Sequence, residues 1–242
     1  MNHGKRMTKL GLAAAAVGLG MGNAHAVPQP YTNFSDFENA LATSGLIASR
    51  QGFDGIAADT PINNGDTLVG FTFTDISLES GQLAVVEPSD SPETRSQSNA
   101  IGTSWPADQQ MRNPDSFTLT FPTPSYAFGI WFIAESGFAE DDDFSISLPG
   151  VTNSPSQGSV AANGVPLNTN FSSWFIGFID ATSPFTTAVI ASTDVEDTGT
   201  FLFRVDDVYT AQRAPAPSSL LLLALGAGIL GFHWRAASQH RV

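Results

Sequence analysis

Carboxylates are the reactive groups that this sequence offers in quantity. All 23 Asp and Glu residues lie between Val27 and Pro217, in a segment with five arginines and with no cysteine, histidine or lysine. This composition excludes a Ser-His-Asp or Cys-His nucleophile, a lysine Schiff base and a zinc site with His or Cys ligands. The formal charge of the segment, −18, argues against nucleic acid as a partner and suits divalent cations or neutral partners such as glycans.

Two short motifs place acids near the two ends of this segment. The motif "QGFDGI" contains Asp54, and "FRVDDVYT" contains the adjacent Asp206 and Asp207. The second motif continues an apolar alternation and is predicted to lie in the last strand. A cap on a turn for Asp207 and a solvated loop for Asp54 are the alternatives to a shared site.

Two further features carry polar or aromatic chemistry in predicted loops. The acidic run Glu140–Asp143 lacks the D-x-D-x-D-G spacing of an EF-hand loop and is typical of a solvated loop. Trp105 lies in the polar stretch "GTSWPADQQ", where burial does not account for an indole. Since an indole face stacks well on a sugar ring, Trp105 is predicted to bind a ligand.

The elements that position these residues are mainly strands. Phenylalanine, leucine and valine alternate with polar residues, often threonine, in "VGFTFTDISL", "SFTLTF", "FSISL" and "TFLFRV", which predicts half-buried antiparallel strands. The runs "YAFGIWFIA" and "WFIGFI", with Trp131 and Trp174, are apolar on both faces and predict central strands. The polar segment Glu87–Asn113 is predicted to be a long surface loop.

One short helix precedes the strands. Ser35 and Glu38 match a capping box, and Phe34, Phe37 and Leu41 recur at helical spacing within Asn33–Thr43. Many short strands with turn signals between them predict an all-β fold, an antiparallel β-sandwich of jelly-roll type that spans residues 27–213.

The two acidic motifs resemble those of jelly-roll carbohydrate-binding modules and related adhesion sandwiches. In those families the first and last strands lie close together and their acids hold a structural Ca²⁺. The resemblance implies that Asp54, Asp206 and Asp207 supply oxygen ligands to calcium, a cation that prefers oxygen.

The N-terminal residues 1–26 have the layout of a secretory signal peptide. A basic start is followed by the uncharged run "LGLAAAAVGLGMG" and by Ala24-His25-Ala26, a small-x-small cleavage site. The mature protein is therefore predicted to begin at Val27; an uncleaved membrane anchor is the alternative.

The C-terminal residues 214–242 combine a Pro-rich break, a short apolar helix and a basic end. Pro215-Ala216-Pro217 precedes a predicted transmembrane helix over about 219–234, and arginines follow it. This order resembles the PEP-CTERM sorting signal of Gram-negative bacteria, with alanine in place of the usual central glutamate. The resemblance implies an exosortase-type protease as partner, removal of the tail, and delivery to the cell surface or extracellular matrix. A permanent tail anchor is the alternative.

These features predict a non-catalytic exported protein that binds glycans or builds extracellular polymer, such as a biofilm polysaccharide. The alternative is a carboxylate-dependent glycan hydrolase or lyase on the same fold. Two acids that converge with Trp105 in one cleft would favour the enzyme.

Overall fold

The computed structural model describes residues 28–79, 81–87, 94–96, 99–104, 109–112, 114–135, 144–149, 151–153, 164–192 and 202–215. Several predicted features lie outside these residues: the predicted signal peptide with Ala24 and Ala26, Trp105, the acidic run 140–143, and Ala216 and Pro217 with the predicted C-terminal helix. Within the described ranges, no helix has the length and apolarity that a membrane crossing requires.

The described chain forms one helix and sixteen strands. The helix is α1 (Phe34–Thr43). The strands before the middle of the chain are β1 (Gln29–Tyr31), β2 (Leu46–Gln51), β3 (Thr60–Pro61), β4 (Thr67–Leu68), β5 (Phe71–Ser77), β6 (Leu83–Val86), β7 (Ala100–Thr103) and β8 (Met111–Arg112). The later strands are β9 (Ser116–Ser125), β10 (Ala127–Glu135), β11 (Phe144–Leu148), β12 (Val151–Asn153), β13 (Val165–Pro166), β14 (Phe171–Ile179), β15 (Phe185–Ser192) and β16 (Leu202–Arg213).

These strands form two antiparallel sheets, which confirms the prediction of an all-β fold. The larger sheet has ten strands in the order β1-β14-β10-β16-β7-β6-β3, with β13 beside β14 and with β2 and β8 beside β16. The smaller sheet has six strands in the order β12-β11-β15-β9-β5-β4. Long apolar strands lie in the middle of the larger sheet, because β10 and β14 are buried on both faces as their sequences predict.

The main hydrophobic core lies between the two sheets. It takes one face of each alternating strand, for example Phe71 and Phe73 of β5 and Phe117 and Leu119 of β9. Val69, predicted to continue the β5 pattern, instead lies in the turn between β4 and β5 with a φ of 44°. The register of this sandwich is set by the period-two alternation, since a shift of one residue would expose every phenylalanine.

A second apolar cluster covers the outer face of the ten-stranded sheet beneath α1. Phe37 and Leu41 pack there against Trp131 and Phe175. The Phe175 ring lies so close to β10 that a Cβ on Gly129 would come within 2.5 Å of it. Glycine is therefore required at this position by close approach of an aromatic ring.

The N-cap of the helix lies two residues earlier than the predicted capping box places it. Asn33 is the N-cap, and its side-chain oxygen accepts a hydrogen bond from the backbone N–H of Asp36. Ser35 is the second residue of the helix, so the capping-box prediction is wrong although the helix itself is confirmed.

The predicted surface loop Glu87–Asn113 is also corrected. Its described part contains β7 and β8, and Ala100, Ile101 and Met111 are fully buried. The segment returns to the ten-stranded sheet, where Ile101 pairs with Val205 of β16. Strand β7 has only four residues and lies between polar stretches, so it is too short to show a recognisable alternation of apolar and polar residues.

Candidate ligand-binding cleft

A bulge in β16 brings Asp206 and Asp207 to the same region of the larger sheet. Trp131 of β10 is opposite Asp206 and Gly129 is opposite Tyr209, so two residues of β16 face the single residue between them. Asp207 is the extra residue and has a φ of 45°. Because the bulge restores the alternation one residue later, Val205 and Val208 both lie in the inter-sheet core and the two acids do not.

Asp206 is completely buried and ties a connecting segment to the sheet. Its Oδ2 accepts hydrogen bonds from the backbone N–H groups of Arg95 and Ser96, both at 2.8 Å. The backbone N–H of Asp207 donates to Oδ1 at 2.7 Å. Burial, followed by the charge of Asp207, raises the pKa of Asp206 to about 6, even though these hydrogen bonds favour the carboxylate.

Asp207 forms an ion pair across the β2–β16 edge. Its Oδ1 lies 2.8 Å from Nε of Arg50, whose side chain is half exposed while that of Asp207 is 2% exposed. Burial raises the pKa of Asp207, and the Arg50 guanidinium opposes that rise. The hydrogen bond to Asp207 in turn raises the pKa of Arg50. The charge of Asp207 is thus balanced by a protein cation.

Asp54 approaches the same region from the connection that follows β2. Its Oδ1 accepts hydrogen bonds from the Ser96 hydroxyl at 2.9 Å and from the Asn99 backbone N–H at 3.1 Å. The same hydroxyl lies 3.0 Å from Oδ2 of Asp206, so Ser96 links the two carboxylates. A Cβ on Gly52 would be 3.2 Å from Oδ1 of Asp207 and 3.7 Å from Oδ2 of Asp54, which places these oxygens within about 7 Å of each other.

An open cleft of about 430 Å³ lies over this network. Its walls come from the end of β2, the connection that follows it and the segment that Asp206 holds, and they are predominantly polar. The described residues that line the cleft are Arg50, Gly52, Asp54, Gly55 and Ser96. The cleft therefore offers a guanidinium, a carboxylate and a hydroxyl within one shallow depression.

An aromatic side chain lies beside the cleft but is covered. The guanidinium carbon of Arg95 lies 4.4 Å from the centroid of the Trp131 ring, in a cation–π arrangement. Trp131 is 2% exposed and Trp174 is 4% exposed, so both are buried as their strand sequences predict.

The structure brings together the three acids that the sequence singled out. Asp54, Asp206 and Asp207 come from motifs about 150 residues apart and meet around Ser96 and Gly52. Sequence reasoning missed Arg50 and Ser96. Arg50 carried a usable signal, because it is one of only five basic residues between Val27 and Pro217 and immediately precedes the first acidic motif.

The donors around these acids bear directly on a calcium site. In the ranges that the structure describes, no group of three or more His, Cys, Asp or Glu side chains is arranged to hold a metal ion. Both oxygens of Asp206 accept backbone N–H groups and Oδ1 of Asp207 is paired with Arg50, so these three oxygens already have protein donors. Calcium binding through Asp54, Asp206 and Asp207 therefore stays a prediction of the sequence resemblance.

Comparison of the chain with models of protein families, with curated proteins and with solved structures gave no match.

Proposed function

We propose that this chain is an exported surface or matrix protein that binds a neutral glycan in the cleft, without catalysis. The observation that carries the proposal is the open polar cleft lined by Arg50, Asp54 and Ser96. The guanidinium donates hydrogen bonds, the carboxylate accepts them and the hydroxyl does both, so together they can bind the hydroxyl groups of a sugar.

The charge balance of the cleft supports a neutral ligand. Arg50 is neutralised by Asp207, with which it forms an ion pair. Among the described wall residues, the carboxylate of Asp54 adds to the strongly negative field of a chain with a charge of −18 between Val27 and Pro217. An anionic polymer would be repelled by this field, whereas an uncharged glycan would not.

The alternative of a glycan hydrolase or lyase rests on the proximity of Asp54 and Asp207. Their oxygens are at most about 7 Å apart, a limit that admits the spacing of paired catalytic carboxylates. However, the Asp207 side chain is 2% exposed and its Oδ1 is held by Arg50. A carboxylate that cannot reach the bound sugar cannot act on it, which favours the binding function.

The same proposal includes a jelly-roll topology for the two sheets and export of the chain from the cell. The chain passes from one sheet to the other between β9 and β10, β10 and β11, β14 and β15, and β15 and β16, which supports a jelly-roll type of sandwich. The resemblance of the two ends to a signal peptide and a PEP-CTERM tail supports export and sorting by an exosortase-type protease.

Binding of the full chain to an array of neutral oligosaccharides tests the cleft. A large side chain introduced at Gly55 is expected to obstruct it. Gly55 lines the cleft, and a Cβ there meets no atom within 4 Å, so a side chain at this position does not clash at its root. Gly55→Phe is expected to weaken binding by about tenfold or more, which corresponds to about 1.4 kcal/mol. Gly55→Ala is the matched control and is expected to change binding by less than about threefold.

Two results would contradict the proposal. One is the same affinity for Gly55→Phe as for the unmodified chain. The other is release of reducing ends from the bound oligosaccharide, lost in Asp54→Asn, which would assign the cleft to the hydrolase alternative.

A further inference from the structure

The outer face of the six-stranded sheet carries three rows of hydroxyl side chains. The cross-strand register aligns the first row as Thr67, Thr72, Thr120 and Thr187, the second as Thr74, Thr118, Val189 and Ser147, and the third as Ser77, Ser116, Ala191 and Ser145. Ten of these twelve positions bear a hydroxyl group and none bears a charge. We call these twelve residues the hydroxyl rows.

The strand geometry makes the hydroxyl rows a regular array. Neighbouring strands lie about 4.8 Å apart, and alternate residues along one strand lie about 6.7 Å apart. The residues between them point inward, since Phe71, Phe73, Phe117 and Leu119 fill the inter-sheet core. The same alternation that builds the core therefore builds the array.

The array faces outward in the described part of the chain. Eight of its ten hydroxyl residues are partly or fully exposed, and the side chain of Val189 is 38% exposed. The helix packs on the other sheet, against β14 and β2. The hydroxyls also reach one another, because Oγ1 of Thr67 and Oγ1 of Thr72 are 2.9 Å apart.

Absence of charge from the twelve residues of the hydroxyl rows is unusual for this chain. The segment from Val27 to Pro217 contains 23 acids, and the rows exclude all of them. Described charged residues that border the rows include Asp66 before Thr67, Asp115 before Ser116, and Asp75 at the bulge where β5 leaves its register with β9. Uncharged rows on a strongly anionic protein fit a neutral partner. The rows offer no charge to attract a charged partner, and the net negative charge of the chain would repel an anionic one.

The chemistry of threonine narrows the partner to a hydroxylated polymer. Each threonine presents a hydroxyl that can donate and accept, and a methyl group beside it. A sugar ring has the same two components, with hydroxyls at its edge and C–H groups on its face. A second copy of the chain fits less well, since stable homodimer interfaces have an apolar centre and two copies would each bring a large negative charge.

We propose that the hydroxyl rows bind a neutral polysaccharide laid across the six-stranded sheet, as a second surface separate from the cleft. This inference rests on the proposed glycan-binding function and extends it from an oligosaccharide in the cleft to the face of an insoluble polymer. Affinity comes from many weak contacts along the rows.

The test is sedimentation of the full chain with insoluble cellulose and with insoluble chitin, as two neutral polymers. Thr120→Glu places a carboxylate in the first row, where contact with a neutral polymer would desolvate it without a partner. The bound fraction is expected to fall by about tenfold. Thr43→Glu is the matched control, because Thr43 is exposed on α1 over the opposite sheet, and its binding is expected to be unchanged.

Equal binding by Thr120→Glu and Thr43→Glu would overturn the inference. If Thr120→Glu fails to fold, Thr187→Glu on the neighbouring strand makes the same test. Loss of self-association in Thr120→Glu, measured by analytical ultracentrifugation, would assign the rows to a second copy instead. Incorporation of the unmodified chain into growing ice but not onto either polymer would assign them to a water lattice, and would equally overturn the proposal.

The two glycan surfaces can fail separately. Binding of soluble oligosaccharides without binding of either insoluble polymer would remove the hydroxyl rows and leave the cleft. Binding of the polymers that survives Gly55→Phe and is lost in Thr120→Glu would support the rows independently. Binding of neither soluble nor insoluble glycans would overturn both proposals.

Discussion

Replacement of Asp206 by asparagine is expected to remove a large part of the pH dependence of stability. Asp206 is completely buried, and its pKa is raised from the ordinary 3.8 to about 6, by burial first and by Asp207 second. Between these two values the folded chain binds the Asp206 proton more tightly than the unfolded chain does. The unfolding free energy therefore falls as the pH rises from about 4 to about 6.

The size of this effect follows from the shift. A rise of about two pKa units corresponds to about 3 kcal/mol between the protonated and ionised forms. For a domain of 150–250 residues, each kcal/mol moves the melting temperature by about 2–4 °C. The contribution of Asp206 is thus a fall in melting temperature of about 6–12 °C across this pH window. Other carboxylates add their own dependence, so the informative quantity is the difference between the two proteins.

Differential scanning calorimetry of the full chain and of Asp206→Asn, at intervals from pH 4 to pH 7, measures that difference. Asparagine keeps the shape of the side chain but does not titrate, so the variant is expected to melt with a flatter pH profile. Asp75→Asn, at an exposed position in β5, is the matched control and is expected to follow the unmodified chain. Parallel profiles for the unmodified chain and Asp206→Asn would refute the reasoning.

Three further predictions concern packing, calcium and the tail. Gly129→Ala is expected to lower the unfolding free energy by about 1–3 kcal/mol, because the new Cβ would overlap the Phe175 ring, whereas Gly55→Ala should leave the melting temperature unchanged. If calcium binds through Asp54, Asp206 and Asp207, Ca²⁺ at 100 times its dissociation constant raises the unfolding free energy by about 2.7 kcal/mol. A melting temperature that does not change when a chelator is added would reject these ligands. A calcium-dependent shift in melting temperature that persists in the double variant Asp54→Ala, Asp206→Ala would reject them as well. Intact-mass measurement of surface or matrix material is expected to give a chain that starts at Val27 and lacks Leu220–Val242; a mass that includes the tail would support the permanent anchor.

The fold was largely predictable because its information is local. Period-two alternation identified β5, β9 and β11, and a three-to-four spacing of Phe34, Phe37 and Leu41 identified α1. The N-cap was misplaced by two residues because Asn33 and Ser35 are both good caps and only the backbone geometry distinguishes them. The pairing of Ile101 with Val205 depends on residues 104 positions apart, which no window of the sequence contains.

The candidate site was only partly predictable for the same reason. The acids of the two motifs could be singled out by their type and by their places near the ends of the segment. The bulge at Asp207 left no sequence signal, since aspartate tolerates a positive φ but does not require one. The Arg50–Asp207 pair joins residues that are 157 positions apart, and it exists only once β2 and β16 have paired.

The course of β16 also determines how the molecule would carry a mechanical load. Asp206 lies beneath the cleft and Arg213 is the last residue of β16. The two residues are about 23 Å apart along this strand. The last six residues of this strand pair with all of β2, and most of its length pairs with β10. Tension between a ligand in the cleft and the chain beyond Pro215 would run along the strand axis, at right angles to these hydrogen bonds. The bonds would then be sheared together and not opened one after another, which is the loading direction that an antiparallel ladder resists best.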